Sequence, residues 1–226
     1  MSETELDKTL SSDHRFLNMG RLPETIAWLK QREDEGAQVL NSAYGVEMCR
    51  RDRIDALMRK HHIAVPPPHR DGACWLKRAD GAAQQEGDIV FCKDEQAYRS
   101  RLTAYGLPLT AYRFIVQPHV KGDLVKFYGV ESTGFFRTFY PGDDGDWKFS
   151  HEAVNGKPHH YFYQKEHLRA MAEMLSRLVR VPIYGGDAIV TPDGESYIID
   201  FNDWPSFSRC REEAAEAIVK LICYGG

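Results

Sequence analysis

The sequence predicts a mixed fold of the α/β (α+β) class. Three observations predict it: a β-hairpin pattern at residues 184–207, several further β-rich runs, and amphipathic helical segments between them. The chain has 226 residues, enough for one large domain or two small ones with a substantial core.

Composition narrows the class of protein and of partner. The chain is 42% hydrophobic and 27% charged, as in ordinary soluble globular proteins. Its net charge of −4 gives no sign of a nucleic-acid or membrane partner, since phosphate-backbone binders are usually basic. Five widely spaced cysteines without a CxxC pair predict free thiols in a reducing compartment. With no signal peptide and no apolar run near 18 residues, we expect a cytoplasmic protein.

The elements follow from local patterns, taken in order. Pro23 suits the first turn of a helix that ends near Gly36, and residues 37–41 then read as a buried strand. Helical spacing of apolar residues predicts a helix over 46–62, which the proline run beginning at Pro66 follows. A Gly-, Asp- and His-rich segment after Pro141 is predicted to be a loop. The remaining runs predict strands at 74–77, 88–92, 113–120, 124–130 and 134–140, and helices at 94–106, 165–179 and 208–222.

The hairpin carries a cluster of oxygen-bearing side chains. Asp193-Gly194 is a strong turn signal, and an even-length loop centred there pairs Asp187 with Asp200. Side chains alternate along a strand, so Asn202 shares a face with Asp200. Two carboxylates about 5 Å apart repel each other unless a cation lies between them, and oxygen ligands suit Mg²⁺. The alternative is a solvated hairpin whose acids point to water. The apolar runs around the acids argue against this alternative.

The stretch DAIVTPDGESYIIDFNDWP resembles the C-terminal motif of the ATP-grasp superfamily, in which an acid on one strand is followed by an acid-x-Asn pair and a proline on the next. The resemblance implies that Asp187, Asp200 and Asn202 hold the Mg²⁺ ions, with Mn²⁺ as an alternative metal, that bridge the phosphates of ATP. It runs from about residue 15 to 222, because other motifs follow in the family's order.

This resemblance implies an ATP-grasp fold, in which two α+β subdomains grip ATP between antiparallel sheets. The fragment ending in GAQVLNS resembles the closing piece of the Rossmann-like domain that precedes the nucleotide-binding part of these enzymes. Most members carry a fuller domain there, so the N-terminal piece is predicted to be truncated. The predicted division is 1–45 as that remnant, 46–112 as the lid subdomain, and 113–226 as the subdomain with the metal site.

Two segments are suited to a nucleotide. Glycine and alanine in the loop after the strand with Lys77 let backbone amides approach an anion, and Pro118 interrupts a strand whose free backbone groups can bind an adenine edge. The resemblance adds the roles: Arg53 and Lys77 bind phosphates, Gly81 and Ala82 belong to the loop over ATP, Gln117 and Val120 bind adenine, and Asp123 holds the ribose. The alternatives are an exposed helix charge for Arg53 and a turn residue for Asp123.

Lys126 and Arg137 each interrupt an apolar strand. A charge that points into a core is costly, so each residue either faces solvent or meets an anion. ATP-grasp enzymes commonly place a basic residue here to stabilise the transferring phosphoryl group. The resemblance therefore assigns both residues to catalysis at the γ-phosphate and substrate, with a solvent-facing position as the alternative.

The implied reaction is Mg²⁺- and ATP-dependent phosphoryl transfer to a small-molecule acceptor. The family's prevailing chemistry favours activation of a carboxylate as an acyl phosphate, followed by amide or peptide bond formation. HVKGDLVKFYGV and IDFNDWP look closer to the inositol-trisphosphate kinases, so a small-molecule kinase is the alternative; the few basic residues nearby argue against a polyphosphate acceptor. A non-catalytic nucleotide-binding module is the third reading. The sequence leaves the oligomeric state open.

Overall fold

The structure, a computed structural model, describes residues 15–67, 72–79, 87–104, 114–143 and 154–224. The strands are β1 (Arg15–Leu17), β2 (Gln38–Leu40), β3 (Cys74–Arg78), β4 (Ile89–Cys92), β5 (Phe114–Pro118), β6 (Asp123–Val130), β7 (Phe135–Phe139), β8 (Ile183–Val190) and β9 (Ser196–Asp203). The helices are α1 (Pro23–Asp34), α2 (Ala43–Met48), α3 (Arg51–Lys60), α4 (Glu95–Ala104), α5 (Lys165–Val179) and α6 (Arg211–Tyr224), with a 3₁₀ turn at Pro141–Asp143.

The described strands form three sheets. β1 and β2 pair in parallel around α1. A small antiparallel sheet has the order β4-β3-β5, and a large antiparallel sheet has the order β7-β6-β8-β9. The predicted α+β class with antiparallel sheets is therefore found.

The large sheet is covered unevenly, and this positions the site. One face packs on the apolar stripes of α5 and α3, which bury Leu168, Leu175 and Ile54 against Phe127 and other sheet residues. The opposite face is covered by α6 only at the end of the sheet where β8 begins. The remaining part of that face looks toward the small sheet. A cleft therefore lies between the two sheets.

The predicted helix over 46–62 is two helices. Arg50 has an extended backbone (ψ 138°), so the chain turns between α2 and α3. Ser42 caps α2, its hydroxyl accepting from the Gly45 amide. The turn makes Arg51 the first residue of α3, with its side chain against the large sheet.

The strand grouping cuts across the predicted subdomain boundaries. β5 follows residue 113 yet pairs with β3 in the small sheet, because its ladder runs from Phe114 to Pro118 along the whole of β3. α3 precedes residue 112 yet packs into the core of the large sheet through Ile54 and Met58. The three-part division of the chain stays a prediction.

Asn41 joins the N-terminal piece to the large sheet. Its side chain is fully buried, donates to the Ile183 carbonyl (2.7 Å) and accepts from the Ile183 amide (2.9 Å). Asn18 in turn donates to the Asn41 carbonyl (3.0 Å). The side-chain amide thus satisfies the backbone where β8 begins.

We expect Asn41→Ala to lower the free energy of unfolding by about 1–3 kcal/mol, because it leaves the buried amide of Ile183 unpaired, while the Ile183 carbonyl keeps a hydrogen bond from the Trp204 amide (3.2 Å). Urea denaturation of the variant and of Gln31→Ala, an exposed amide change expected to stay within about 0.5 kcal/mol, measures this. Equal stability of the two variants would contradict the assigned role.

None of the helices in the described ranges is long and apolar enough to cross a membrane.

Candidate active site

The hairpin of β8 and β9 brings the predicted acids together. Asp187 and Asp200 are directly opposed, as the sequence predicts. The turn differs from the even-length loop expected: it spans residues 191–195, and Val190 pairs with Ser196. An irregularity in the register between Asp187 and Ala188 then restores the predicted pairing at the acids.

The irregularity is a β-bulge at Ile199, which has no Cα partner on β8. Its carbonyl instead accepts a hydrogen bond from the Lys77 ammonium group (3.0 Å), which reaches across from β3 of the small sheet. Bulges commonly redirect groups next to active sites. Here the bulge fixes the lysine close to the acid pair.

Cations surround the two carboxylates. Lys126 lies opposite Asp187 on β6, with its Nζ 3.3 Å from Asp187 Oδ1. The Arg51 guanidinium donates to Asp200 Oδ2 (3.1 Å) and to the Arg78 carbonyl (3.3 Å). Each acid is therefore paired with a base that comes from another element of the fold.

Burial and charge set the protonation of this cluster. Burial alone would raise the pKa of Asp200, but Arg51, Lys77 and the hydrogen bonds from Arg51 and Asn202 outweigh it and lower that pKa. Burial lowers the pKa of Lys77 to about 8, while Asp200 opposes the shift. Asp200 is thus held ionised and ready to bind a cation.

The donors at this point suit a hard cation. Within the described part of the chain, no three His, Cys, Asp or Glu side chains are grouped to hold a metal ion. The predicted oxygen set consists of Asp187, Asp200 and the amide of Asn202, which hydrogen-bonds to Asp200; its role as a metal site stays a prediction. Mg²⁺ keeps several waters and phosphate oxygens in its shell, so a sparse protein set with two carboxylates fits it.

The acids lie at one end of a cleft between the sheets, with an empty volume of about 590 Å³ that includes the solvent at its mouth. The predicted adenine residues Gln117 and Val120 line this same cleft, and Gln117 is buried. The cleft is lined by Pro66, Trp75, Lys77, Ile89, Gln117, Pro118, Val120, Leu124, Asn155, Asp187, Ile189, Ile199 and Asp200. Apolar walls with a charged end suit a flat base that carries phosphates.

Three residues that were predicted to contact the nucleotide or the substrate are paired with other groups of the protein. Arg53 pairs with Glu47 of α2 (3.0 Å), and its side chain is 41% exposed. Arg137 donates to Glu213 of α6 (2.8 Å). The Asp123 carboxylate accepts from two backbone amides of residues 159–161. The phosphate, catalytic and ribose roles of these three stay predictions.

Gly81 and Ala82, the predicted phosphate loop, lie outside the described residues.

Sequence reasoning missed Arg51. The residue is buried and lies on the same face of α3 as Ile54 and Met58, at helical spacing. That spacing was readable from the sequence and would have placed Arg51, two residues before Arg53, on the core side of the helix.

Comparisons with known proteins point to one fold. No protein-family model matches the sequence, and no curated protein matches it. Among solved structures, the chain is similar to the ATP-grasp ligase PsnB complexed with a precursor peptide and AMPPNP (TM-score 0.55, 16% identity, 87% of this chain and 67% of that one). It is also similar to D-alanyl-alanine synthetase A from Vibrio cholerae (TM-score 0.58, 14% identity, 88% and 70%).

A third similar structure is a RiPP-associated ATP-grasp ligase from Chryseobacterium gregarium in complex with ADP and a leader and core peptide (TM-score 0.60, 12% identity, 90% and 67%). The chain spans about two thirds of the length of these proteins. At such low identities the likeness concerns the fold alone, and it confirms the predicted ATP-grasp fold.

Proposed function

We propose that this chain, which has the ATP-grasp fold, is a Mg²⁺- and ATP-dependent ligase that activates a carboxylate and joins it to an amine. One observation carries the proposal: Asp187, Asp200 and Lys77 converge from two sheets at the charged end of a cleft with apolar walls. Mg²⁺-ATP requires acids that bind the metal, a base that binds the phosphates, and a neighbouring site for a flat ring.

The residues of the chain have separable roles in this proposal. Lys77 and Arg51 supply positive charge from the small-sheet side and from α3, where they neutralise phosphate oxygens. Asp187, Asp200 and Asn202 would hold Mg²⁺, which would neutralise charge on the phosphates. Lys126, beside Asp187, is placed to stabilise charge on the transferring group.

Catalysis then follows from positioning. The buried lysine and arginine are fixed by the Ile199 carbonyl and by Asp200, so they need little reorganisation when the phosphates arrive. The γ-phosphoryl group passes to the carboxylate, and an amine displaces phosphate from the acyl phosphate. Two of the similar ligases were solved with peptides, so we include a peptide carboxylate beside small acids as an acceptor class.

Product analysis tests the reaction class. The protein is incubated with ATP, Mg²⁺ and pools of carboxylates, amines, polyols and acidic peptides, and ADP and product masses are followed. A ligase releases ADP only when an acid and an amine are both present, and its product is one water lighter than their sum. ADP release with a polyol alone, and a product one phosphoryl group heavier, would establish a kinase instead. An ATP complex that releases no ADP with any pool would favour a binding module.

The two basic residues predicted as catalytic, Lys126 and Arg137, have different neighbours. We expect Lys126→Met to lower kcat at least tenfold with the matched substrates, because its charge lies beside Asp187 at the reacting end of the cleft. We expect Arg137→Ala to change kcat less than about threefold, because exposed ion pairs such as that with Glu213 contribute little. Steady-state kinetics measure kcat of both variants. A larger loss of kcat in Arg137→Ala than in Lys126→Met would support Arg137 as the catalytic cation instead.

A further inference from the structure

The sequence predicts that Asp123 contacts the ribose, but in the structure its carboxylate is hydrogen-bonded within the protein. Its side chain is 1% exposed. One carboxylate oxygen accepts from the His159 amide (2.7 Å), and the other accepts from the Tyr161 amide (3.0 Å). The carboxylate therefore anchors the segment of residues 154–161, and its lone pairs are directed to that segment.

Asn155 belongs to the same segment and lines the cleft. Its side-chain oxygen Oδ1 is buried and has no hydrogen-bond partner among the described residues. A buried acceptor without a partner costs about 1–3 kcal/mol, so such atoms usually have one. A ligand with an N–H or O–H donor at this point of the cleft would supply it.

The anchor ties the segment that carries Asn155 to the start of β6. His159, four residues further on, is bound to Asp123 at the start of β6, next to the cleft residue Leu124. Lys126, which marks the metal end, follows Asp123 by three residues, or about 10 Å along the strand. Asn155, which lines the cleft, is thus linked through four residues to the end of β6 that lies away from Lys126.

We infer that Asn155 Oδ1 accepts a hydrogen bond from a ribose hydroxyl of bound ATP, and that Asp123 acts indirectly by holding the segment that carries Asn155. The inference rests on the proposed function. The adenine edge has other predicted partners in Gln117 and the Val120 backbone, and both residues line the cleft. The ribose hydroxyls are further donors of the nucleoside, away from the adenine edge, and they match an acceptor oxygen.

Calorimetric titration with Mg²⁺-ATP and Mg²⁺-2′,3′-dideoxy-ATP tests the inference. Wild-type protein should bind ATP about tenfold more tightly than the dideoxy analogue, which corresponds to one hydrogen bond. Asn155→Ala should lose that preference, with about tenfold weaker binding of ATP and less than twofold weaker binding of the analogue. Asn155→Asp, which keeps an acceptor oxygen, should retain the preference.

Asp123→Asn, combined with Asn155→Ala, separates positioning from contact. Alone it should weaken binding of ATP and weaken binding of the dideoxy analogue less than twofold, because the segment that carries Asn155 loses its anchor. In the double variant it should weaken ATP binding no further, whereas a further loss would indicate a direct contact of Asp123 with the ribose. Melting temperatures of all variants without nucleotide verify that each is folded. If Asn155→Ala weakens both nucleotides equally, or neither, while the wild-type protein binds ATP, the inference is wrong and the proposed function stands. If the wild-type protein binds neither nucleotide, both are wrong.

Discussion

Lys77→Met is expected to weaken binding of the ATP analogue AMPPNP in the presence of Mg²⁺ by about 100-fold. Lys77 is 5% exposed, lies beside Asp200 and lines the cleft, so its ammonium group is a buried charge available to the phosphates. Charge-assisted hydrogen bonds of this kind contribute about 1.5–3 kcal/mol. Methionine nearly preserves the volume, so packing of the small sheet should be kept.

Calorimetric titration measures the effect. Lys60→Met, which removes an exposed lysine at the end of α3, is the matched control and should bind as the wild-type protein does. Similar affinities for the Lys77 and Lys60 variants would place the phosphates elsewhere.

Asp200→Ala is expected to abolish the stabilisation that Mg²⁺-AMPPNP gives to the folded chain. Ligand at 100 times its Kd stabilises the native state by about 2.7 kcal/mol, which raises Tm by roughly 5–10 °C for a chain of this size. The variant loses a metal ligand and should show almost none of this shift. It should also be less stable without ligand, by about 3–5 kcal/mol, because the buried Arg51 guanidinium loses its partner.

The double variant Arg51→Met with Asp200→Ala separates these two effects. Removing the stranded charge should restore most of the stability without ligand, while the response to Mg²⁺-AMPPNP stays absent. Differential scanning fluorimetry of the wild-type, single and double variants gives both quantities. A full ligand shift in the double variant would remove Asp200 from the metal site.

The sequence was sufficient to predict the hairpin and the face on which its oxygen-bearing side chains lie. Alternating apolar residues around Asp193-Gly194 fixed two strands, and a period of two then placed Asp187, Asp200 and Asn202 on one face. The turn itself was predicted wrongly, because its loop has five residues rather than an even number, and the bulge at Ile199 compensates. No local pattern marks that bulge, which depends on a hydrogen bond to a lysine of another sheet.

Residues that act through tertiary contacts were harder to predict. Asp123 follows Gly122 in a motif that resembles the ribose-binding hinge of the family, yet its carboxylate accepts hydrogen bonds from amides more than thirty residues away in sequence. Arg137 interrupts an apolar strand as a substrate-binding base would, yet α6 places Glu213 beside it. Such partners are set by how elements pack, and local spacing does not contain that information.

The most direct test of the central claim, that the cleft between the sheets binds ATP through Mg²⁺, is one calorimetric titration of the wild-type protein with AMPPNP, with Mg²⁺ and with EDTA. The account predicts a single binding site with Mg²⁺ and at least tenfold weaker binding in EDTA, because Mg²⁺ held by the opposed carboxylates would add contacts to the phosphates that are lost without the metal. Equal affinity in the two buffers, or no binding in either, would contradict it.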